Sequence, residues 1–531
     1  MKFLRKLDEA KLEWAAYFLT GIFLSIQTLL LFISDIRSIL PFLPDDTAYY
    51  FKIVENLHAG NGLSFDGLHK TDGFHPLWLY LLTGVRFFLT GTPESIYRIF
   101  LFVQLLLITG SIWLIWITQR RIFGKRIALF GVGLFLLCLF FQSLNGLETA
   151  LQIFMLCLFF YVGSKFNFLH DCGNFTGFLP GLFLGLIFLA RLDMVFLIAA
   201  LYPLLLSIPA INTREIVFYM KKIVWLTIGI AVVTLPYLIF NYLQFGHIVP
   251  ISGQLKSSFP LPGLNLRFDF KILDYLTIFP SLILALGYIG WFIKQRQSGI
   301  SISAERKYYR GFTFLLANSI VLHFLYYTLF MRWEHSNWAF YYYNLIPLLV
   351  SAEVLTKWLR GMSNTRKNFL SLSFTLGVCL VLMFKSATRI SNGKLQNWHS
   401  IAYEAALWSR AETPKEAVFA MVDAGNFSYF SERKVINLDG LVNNLEFQNA
   451  LNGRALNGYL KNNKVTYLVM ADTAGKFQYI DKDKEIRAIA FESFLSHTMS
   501  DPVIVRGQNM CKSIPWNGPN GPTSFVIWKL D

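Results

Sequence analysis

The chain has 531 residues, of which 54% are hydrophobic, 17% aromatic and 15% charged, and its mean hydropathy is +0.45. That balance excludes an ordinary soluble protein of this size, and the chain reads as a membrane protein. The formal net charge of +15 does not point to nucleic acid, because Lys and Arg fall in short clusters between apolar runs instead of along one polar face.

The chain opens with "MKFLRKLDEAKLEWAAYFLTGIFLSIQTLLLFI", a basic start and a long apolar stretch without a small-residue cleavage site, so the first helix is expected to be retained. Runs of about 17 to 25 apolar residues are candidate crossings, since lipid leaves every backbone polar group to be satisfied internally. They fall near 14–33, 96–118, 127–144, 148–164, 176–191, 194–210, 223–241, 272–293, 312–330, 338–356 and 368–385. The basic clusters Lys2/Arg5/Lys6, Arg120/Arg121/Lys125/Arg126, Arg214/Lys221/Lys222, Lys294/Arg296/Arg306/Lys307/Arg310 and Lys357/Arg360/Arg366/Lys367 lie in alternate loops, as the positive-inside rule demands. One further run, "HPLWLYLLTGVRFFLTG" from His75, is short and carries Arg86; counting it as a crossing would break that alternation, so an interfacial or partly inserted helix is expected there.

This topology gives about 11 transmembrane helices over residues 1–385, with the N-terminus in the cytoplasm and a first external loop at about 34–95. Residues 386–531 are expected outside, as an extracytoplasmic α/β domain. "AVFAMVDAG", "KVINLDG" and "VTYLVMAD" read as strands, with "LVNNLEFQNALNGRALNGYLKNN" as one helix between two of them. Cys138, Cys157 and Cys379 lie in apolar runs, Cys172 in a loop and Cys511 alone near the C-terminus, so neither a disulfide framework nor a CxxC metal site is available.

Polar residues gather at the outward ends of the predicted helices. They are the pair Asp45/Asp46, "KTDGFHPLW" (70–78), "NGLET" (145–149), "ARLD" (190–193), "NYLQFGHIVPISGQLKSSF" (241–259) and "MRWEHSNWAFYYY" (331–343). Each has two readings. Glu148 with Arg191 and Asp193 is either a structural ion pair or part of a site. His75, His247 and His335 are either hydrogen-bonded structural histidines or ligand contacts. Trp333 and Tyr341 form either an aromatic belt or a stacking surface for a sugar, and Lys256 is either a snorkelling anchor or a phosphate contact. Asp45 or Asp46 could cap the helix that follows. One acid suffices for that, whereas two beside an apolar surface cost desolvation unless a cation or hydroxyl partners them; a carboxylate with a raised pKa there suits general-base work.

The order of these segments resembles the GT-C superfamily of polyprenyl-phosphate-sugar-dependent glycosyltransferases over nearly the whole chain. The stretch "PDDTAYYFKIVENLHAGNGLSFDG…TDGFHPLW", followed by "NGLETAL", "ARLDMVF" and "FGHIVPISGQLK", is most similar to the bacterial branch that includes mycobacterial arabinofuranosyltransferases. The resemblance implies an inverting glycosyltransferase in the inner (cytoplasmic) membrane, its active site on the extracytoplasmic side. It would move a sugar from a polyprenyl-phosphate donor to a hydroxyl of a cell-envelope glycan, lipid or protein acceptor. It implies that Asp45 or Asp46 is the base, with a slight preference for Asp45, and that Lys256 and then Arg332 bind the donor phosphate. Some members of the superfamily use a divalent metal ion and others do not, and no His/Asp/Glu cluster in the sequence settles which applies. The alternative is a transporter or flippase for a lipid-linked saccharide. Against it stand the lack of an inverted repeat and the placing of every polar segment on one side. A lectin-like sensor would leave the Asp pair unexplained.

Overall fold

The computed structural model describes residues 9–166, 168, 177–207, 213–297, 302–392, 397–471, 476–481, 483–493, 497–518 and 521–530; Lys2, Arg5, Lys6 and Cys172 lie outside them. Each of the eleven apolar runs overlaps a helix, with 338–344 forming short 3-10 turns ahead of the helix and 176 and 208–210 outside the described residues. The helices are α1 (Glu9–Ile33), α4 (Pro93–Phe123), α5 (Lys125–Ser143), α6 (Thr149–Phe166), α7 (Phe178–Ala190), α8 (Val195–Ser207), α9 (Thr213–Phe245), α11 (Ile272–Gln297), α12 (Ala304–Phe330), α13 (Leu345–Trp358) and α14 (Asn364–Asn392). Among the described residues seven of these helices are long and apolar enough to cross a membrane unaided, and α1, α7 and α8 add shorter apolar stretches. The chain is a multi-pass membrane protein. Between the runs lie α2 (Asp46–His58), α3 (Pro76–Arg86) and α10 (Ile251–Lys256); α3 is the short helix expected after His75.

The 31 residues of α4 give a length of about 46 Å, and its two ends define the ends of the bundle. At its C-terminal end, Glu13 of α1 pairs with Arg120 and, at 2.7 Å, with Lys125, while Arg121 lies 3.5 Å from Glu305 of α12. Basic clusters distant in sequence thus meet there. At its N-terminal end, Glu94 accepts from Tyr403 (3.2 Å) and the Pro93 carbonyl from Tyr429 (3.0 Å), both in the C-terminal part of the chain. Thr92 caps the helix through Ser95 N–H.

Two strands of two residues, β1 (Phe268–Asp269) and β2 (His335–Ser336), pair in parallel and tie the loops after α10 and α12 together. After α14 come α15 (Trp398–Glu412), β3 (Val418–Met421), α16 (Gly425–Ser431), β4 (Lys434–Asn437), α17 (Leu445–Asn452), α18 (Leu456–Asn462), β5 (Val465–Ala471), β6 (Lys476–Asp481), β7 (Ile486–Ala490), β8 (Val503–Arg506), β9 (Met510–Gly518) and β10 (Gly521–Lys529). The main sheet has the order β4-β3-β5-β10-β9, with β4, β3 and β5 parallel and β10 and β9 antiparallel; β6, β7 and β8 make a second sheet. The helix expected over 441–463 is two helices. Gly453 ends the first, and Arg454, at φ 53°, turns the chain through the left-handed region before the second.

Strand alternation explains how this sheet is attached. Phe419, Met421, Val435, Val469, Phe525 and Ile527 point into the same core as the membrane helices and α2. Their neighbours Val418, Ala420, Ile436, Leu468, Val526 and Trp528 point to the other face, into a core with Phe447, Leu451 and Tyr459 of α17 and α18. The sheet is buried on both faces, which is why its strands read as continuous apolar runs.

Candidate active site

The site is organised by α2. Helical spacing sends Asp45, Tyr49 and Lys52 to one side and Asp46 and Tyr50 to another. Asp45 stands at the N-cap position of α2 but makes no capping bond there, so the expected cap is not what occupies it. It reaches across to α16, where Oδ2 accepts from Gly425 N–H (2.5 Å) and Oδ1 from Asn426 N–H (2.9 Å) and the Asn426 amide (2.8 Å). Burial pushes its pKa up, against three N–H donors that favour the charged form. Among the described residues Asp46 accepts no side-chain partner, and it is only partly buried. Burial pushes its carboxyl up to about 6; Lys256 pulls it down, and Asp439 and Glu148 push it up.

On the membrane side of α2, Tyr50 donates to Glu148 Oε2 (2.9 Å). Arg191 donates to Glu148 Oε1 (2.6 Å) and to Asp193 (2.9 and 3.1 Å). His323 of α12 approaches Asp193 at 3.3 Å and exchanges a hydrogen bond with Tyr343 through its other nitrogen (2.8 Å). His75 accepts the Leu192 N–H at Nδ1 (3.1 Å); that fixes its proton on Nε2, which faces Glu148 Oε1 at 3.5 Å. Thr47 donates to the Asn145 carbonyl (2.7 Å). Gly146 follows with φ +80°, and a side chain there would collide with Thr47, so the "NGLET" turn depends on its glycine.

Lys256 ends α10, whose first amide, Ile251 N–H, is bound by Asp72 Oδ1 at 3.0 Å. His247 donates from Nδ1 to the Val249 carbonyl (2.8 Å) and lies 3.4 Å from Asp72 Oδ2. The ammonium of Lys256 sits 5.7 Å from the centre of the Trp333 ring, and its carbonyl accepts Arg332 N–H (2.8 Å). Lys256, Arg332 and Trp333 therefore form one unit. His335 donates from Nε2 to the Asn265 carbonyl (2.9 Å) and fastens loops beside it; Tyr341 is buried in the turn leading into α13.

The C-terminal part completes the enclosure. "VDAG" and "NLDG" are the carboxyl ends of the parallel neighbours β3 and β4, and each delivers an aspartate to the same edge. Asp439 accepts from Tyr49 (2.8 Å), Asn437 (2.8 Å) and Leu441 N–H (2.9 Å). Asp423, at φ 50°, sits against Asp439, donating its N–H to Oδ2 at 3.3 Å. Its carboxyl is pushed up to about 7 by burial and by the charges of Asp439 and Asp46. Among the described residues no three His, Cys, Asp or Glu side chains stand close enough to share a metal ion.

The structure thus groups Asp46, Lys256, Arg332, Trp333, His75, Glu148, Arg191 and Asp193 at one end of the bundle, and turns Asp45 away from that group toward α16. Sequence reasoning passed over Asp423, Asp439, Asp72 and His323. Two strands ending alike in Asp and a nearby Gly, and a histidine inside an apolar helix, were the available signals.

Residues 393–509 match a family model described as a domain of unknown function, DUF8728. A search of curated proteins by sequence finds no match. Among solved structures the chain is similar to ArnT from Cupriavidus metallidurans bound to undecaprenyl phosphate, with a TM-score of 0.55 at 10% identity, over 88% of this chain and 96% of that one. It is also similar to the same ArnT in the apo state (TM-score 0.46, 12% identity, 87% and 96% covered). A third similar structure is the Archaeoglobus fulgidus oligosaccharyltransferase in complex with zinc and sulfate (0.43, 14%, 84% and 67%). The first of these shows a shared fold.

Proposed function

We propose that this chain is an inverting membrane glycosyltransferase. It transfers a sugar from a polyprenyl-phosphate donor to a hydroxyl of a cell-envelope glycan, lipid or protein acceptor at the outer face of the cytoplasmic membrane. The ArnT whose fold it shares was solved with undecaprenyl phosphate, and the order of motifs in the sequence favours the arabinofuranosyltransferase-like branch. In this reading residues 1–385 form the catalytic membrane module and 386–531 an extracytoplasmic domain that closes over it.

The observation that carries the reading is a half-buried carboxyl, Asp46, at one end of a membrane bundle and within electrostatic reach of Lys256, whose charge pulls its pKa down. Asp46 takes the proton of the acceptor hydroxyl as its oxygen attacks the anomeric carbon. The bond from that carbon to the phosphate oxygen breaks on the opposite face, and its electrons leave with the lipid phosphate. Lys256, with Arg332 beside it, stabilises the charge developing on that phosphate. A carboxyl at about 6 is ionised at neutral pH yet basic enough to accept a proton in the transition state.

The test is transfer of label by the purified protein in lipid nanodiscs from a panel of radiolabelled polyprenyl-phosphate sugars to a membrane glycoconjugate extract. One donor is expected to lose its sugar with release of polyprenyl phosphate. Movement of an intact donor across proteoliposome membranes without release of lipid phosphate would replace the enzyme by a transporter.

A further inference from the structure

The two aspartates that open α2 are adjacent in sequence but are held by different parts of the molecule, and the hold on Asp45 extends along the whole of α16. Asp45 meets the first two amides of α16. Seven residues on, the buried ammonium of Lys52 donates to the Ser428 and Arg433 carbonyls, both at 3.0 Å, at the other end of the same helix. Residues seven apart lie on one face of a helix, two turns apart. α2 therefore offers carboxyl oxygens to the amide end of α16 and N–H donors to its carbonyl end.

Between these two grips Tyr49 binds Asp439 beyond β4 (2.8 Å). The backbones are in close contact, since a side chain on Gly425 would collide with the Asp45 carbonyl. Asn426, which completes the carboxylate's shell, is itself held 3.1 Å from His399 Nδ1 of α15. Burial and the charge of Lys271 push that imidazole down to about 4, so it is neutral and free to accept the amide proton.

The grip has a geometric consequence. α2 is 13 residues long, and the face carrying Asp46 and Tyr50 is adjacent to the face that is gripped. A rotation of α2 about its axis by one residue's arc, about 100°, would turn Asp46 away from Lys256. With Asp45, Tyr49 and Lys52 fixed to α16 and β4, that rotation is blocked.

We propose that Asp45 is a positioning residue and not the base: with Lys52 it clamps α2 to α16, and the C-terminal domain thereby sets the direction in which Asp46 points. This rests on the proposed transferase reading, and it makes the C-terminal domain a working part of the catalytic site.

The experiment uses the full chain in nanodiscs and two readouts, hydrogen exchange of the amides of 425–431 by mass spectrometry and the kinetics of sugar transfer. Asp45→Ala is expected to speed exchange at Gly425 and Asn426 at least about tenfold. It should lower kcat about 10- to 100-fold, the size of a misplaced catalytic group, with an unchanged KM for donor and an unchanged pH midpoint. Asp45→Asn, which keeps one oxygen for the helix amides, should recover part of both losses. Asp46→Asn should leave exchange at the wild-type rate while removing transfer. Wild-type exchange in Asp45→Ala would overturn the clamp. Loss of transfer as deep as in Asp46→Asn, with no recovery in Asp45→Asn and a moved midpoint, would place Asp45 in the chemistry instead. Should Asp45→Ala fail to fold, Gly425→Ala opens the same contact from the other side and is judged by the same two readouts. If the wild-type chain releases polyprenyl phosphate from no donor, the transferase reading falls, and the exchange comparison alone decides whether the clamp exists.

Discussion

On the wall of side chains built by α6, α7, α8 and α12, charge is compensated residue by residue. Glu148 meets Arg191 and Tyr50, Arg191 meets Asp193, and Asp193 meets His323. On the facing wall, built by α2 and the ends of β3 and β4, Asp46 and Asp423 stand near Asp439 with no cation bonded to them among the described residues, and both carboxyls rise toward neutrality. A buried ion network whose members satisfy one another holds a shape and has little left to offer a substrate. Like charges left without a bonded cation are costly to keep, and each can take up a proton or a hydroxyl. The first wall is therefore scaffold and the second is where chemistry is expected.

That contrast can be broken most sharply at Asp46. Asp46→Asn is expected to cut transfer by about two to four orders of magnitude, the usual contribution of a general base, while thermal unfolding followed by intrinsic fluorescence stays near that of the parent. For the parent the sign of the pH dependence follows from the base having to be ionised. Rate should rise with pH through about 6 and level off above it, measured as initial transfer across a pH series. A flat profile from pH 5 to 8 would remove Asp46 from the rate-limiting proton transfer.

The opposite wall should fail in the opposite way. Arg191→Met leaves Glu148 and Asp193 buried without their cation, and loss of one partner of a buried pair costs about 3–5 kcal/mol of stability. Denaturant or thermal unfolding in detergent should show it, and whatever folded protein remains should retain the parent's pH midpoint. A stable Arg191→Met protein with normal unfolding and no transfer would move Arg191 from scaffold to substrate contact.

Lys256 tests the boundary between the walls. Lys256→Met is expected to reduce the rate at saturating donor by about 2–4 kcal/mol in barrier, as for other groups that stabilise developing charge. It should also move the pH midpoint upward, because the lysine charge is what pulls the Asp46 carboxyl down. A lysine that serves as an anchor would change neither, and Lys256→Arg would then be tolerated.

Much of this was legible in the sequence, for stated reasons. The apolar runs marked helices, seven of them among the described residues long and apolar enough to cross a membrane, because lipid imposes length and composition on a crossing segment, and the short run after His75 gave itself away by Arg86, which in the folded chain pairs with Glu55 at 2.7 Å. The split between Asp45 and Asp46 was not legible. Adjacent residues on a helix differ by about 100°, and which of the two directions meets α16 depends on how a domain almost 400 residues later docks. Nor could local pattern show that Asp72, in the first loop, caps the helix that ends in Lys256; that bond spans 179 residues and carries no periodic signal. Asp423 and Asp439 were visible as strand ends, but their arrival beside Asp46 follows from the parallel pairing of β3 and β4 and the contact of that edge with α2.

The smallest effect is expected at Tyr50, which belongs to the same helix as Asp46 but faces the compensated wall. Tyr50→Phe removes a hydrogen bond to Glu148 Oε2 while Arg191 and His75 remain near Oε1. The carboxylate keeps its cation, so the cost should lie at the low end for a bond to a charged group, about 1.5 kcal/mol. It should appear as a modest loss of thermal stability with kcat within about threefold of the parent and the pH midpoint unmoved. Because the hydroxyl also accepts His75 N–H at 3.1 Å, the "TDGFHPLW" turn loses one of its attachments to α2, and hydrogen exchange at 73–77 should quicken while exchange at 425–431 does not. Were Tyr50→Phe instead to shift the pH midpoint as far as Lys256→Met, Glu148 would be electrically coupled to the base more strongly than its paired surroundings allow. The division into a silent wall and a reactive one would then have to be redrawn along the axis of α2.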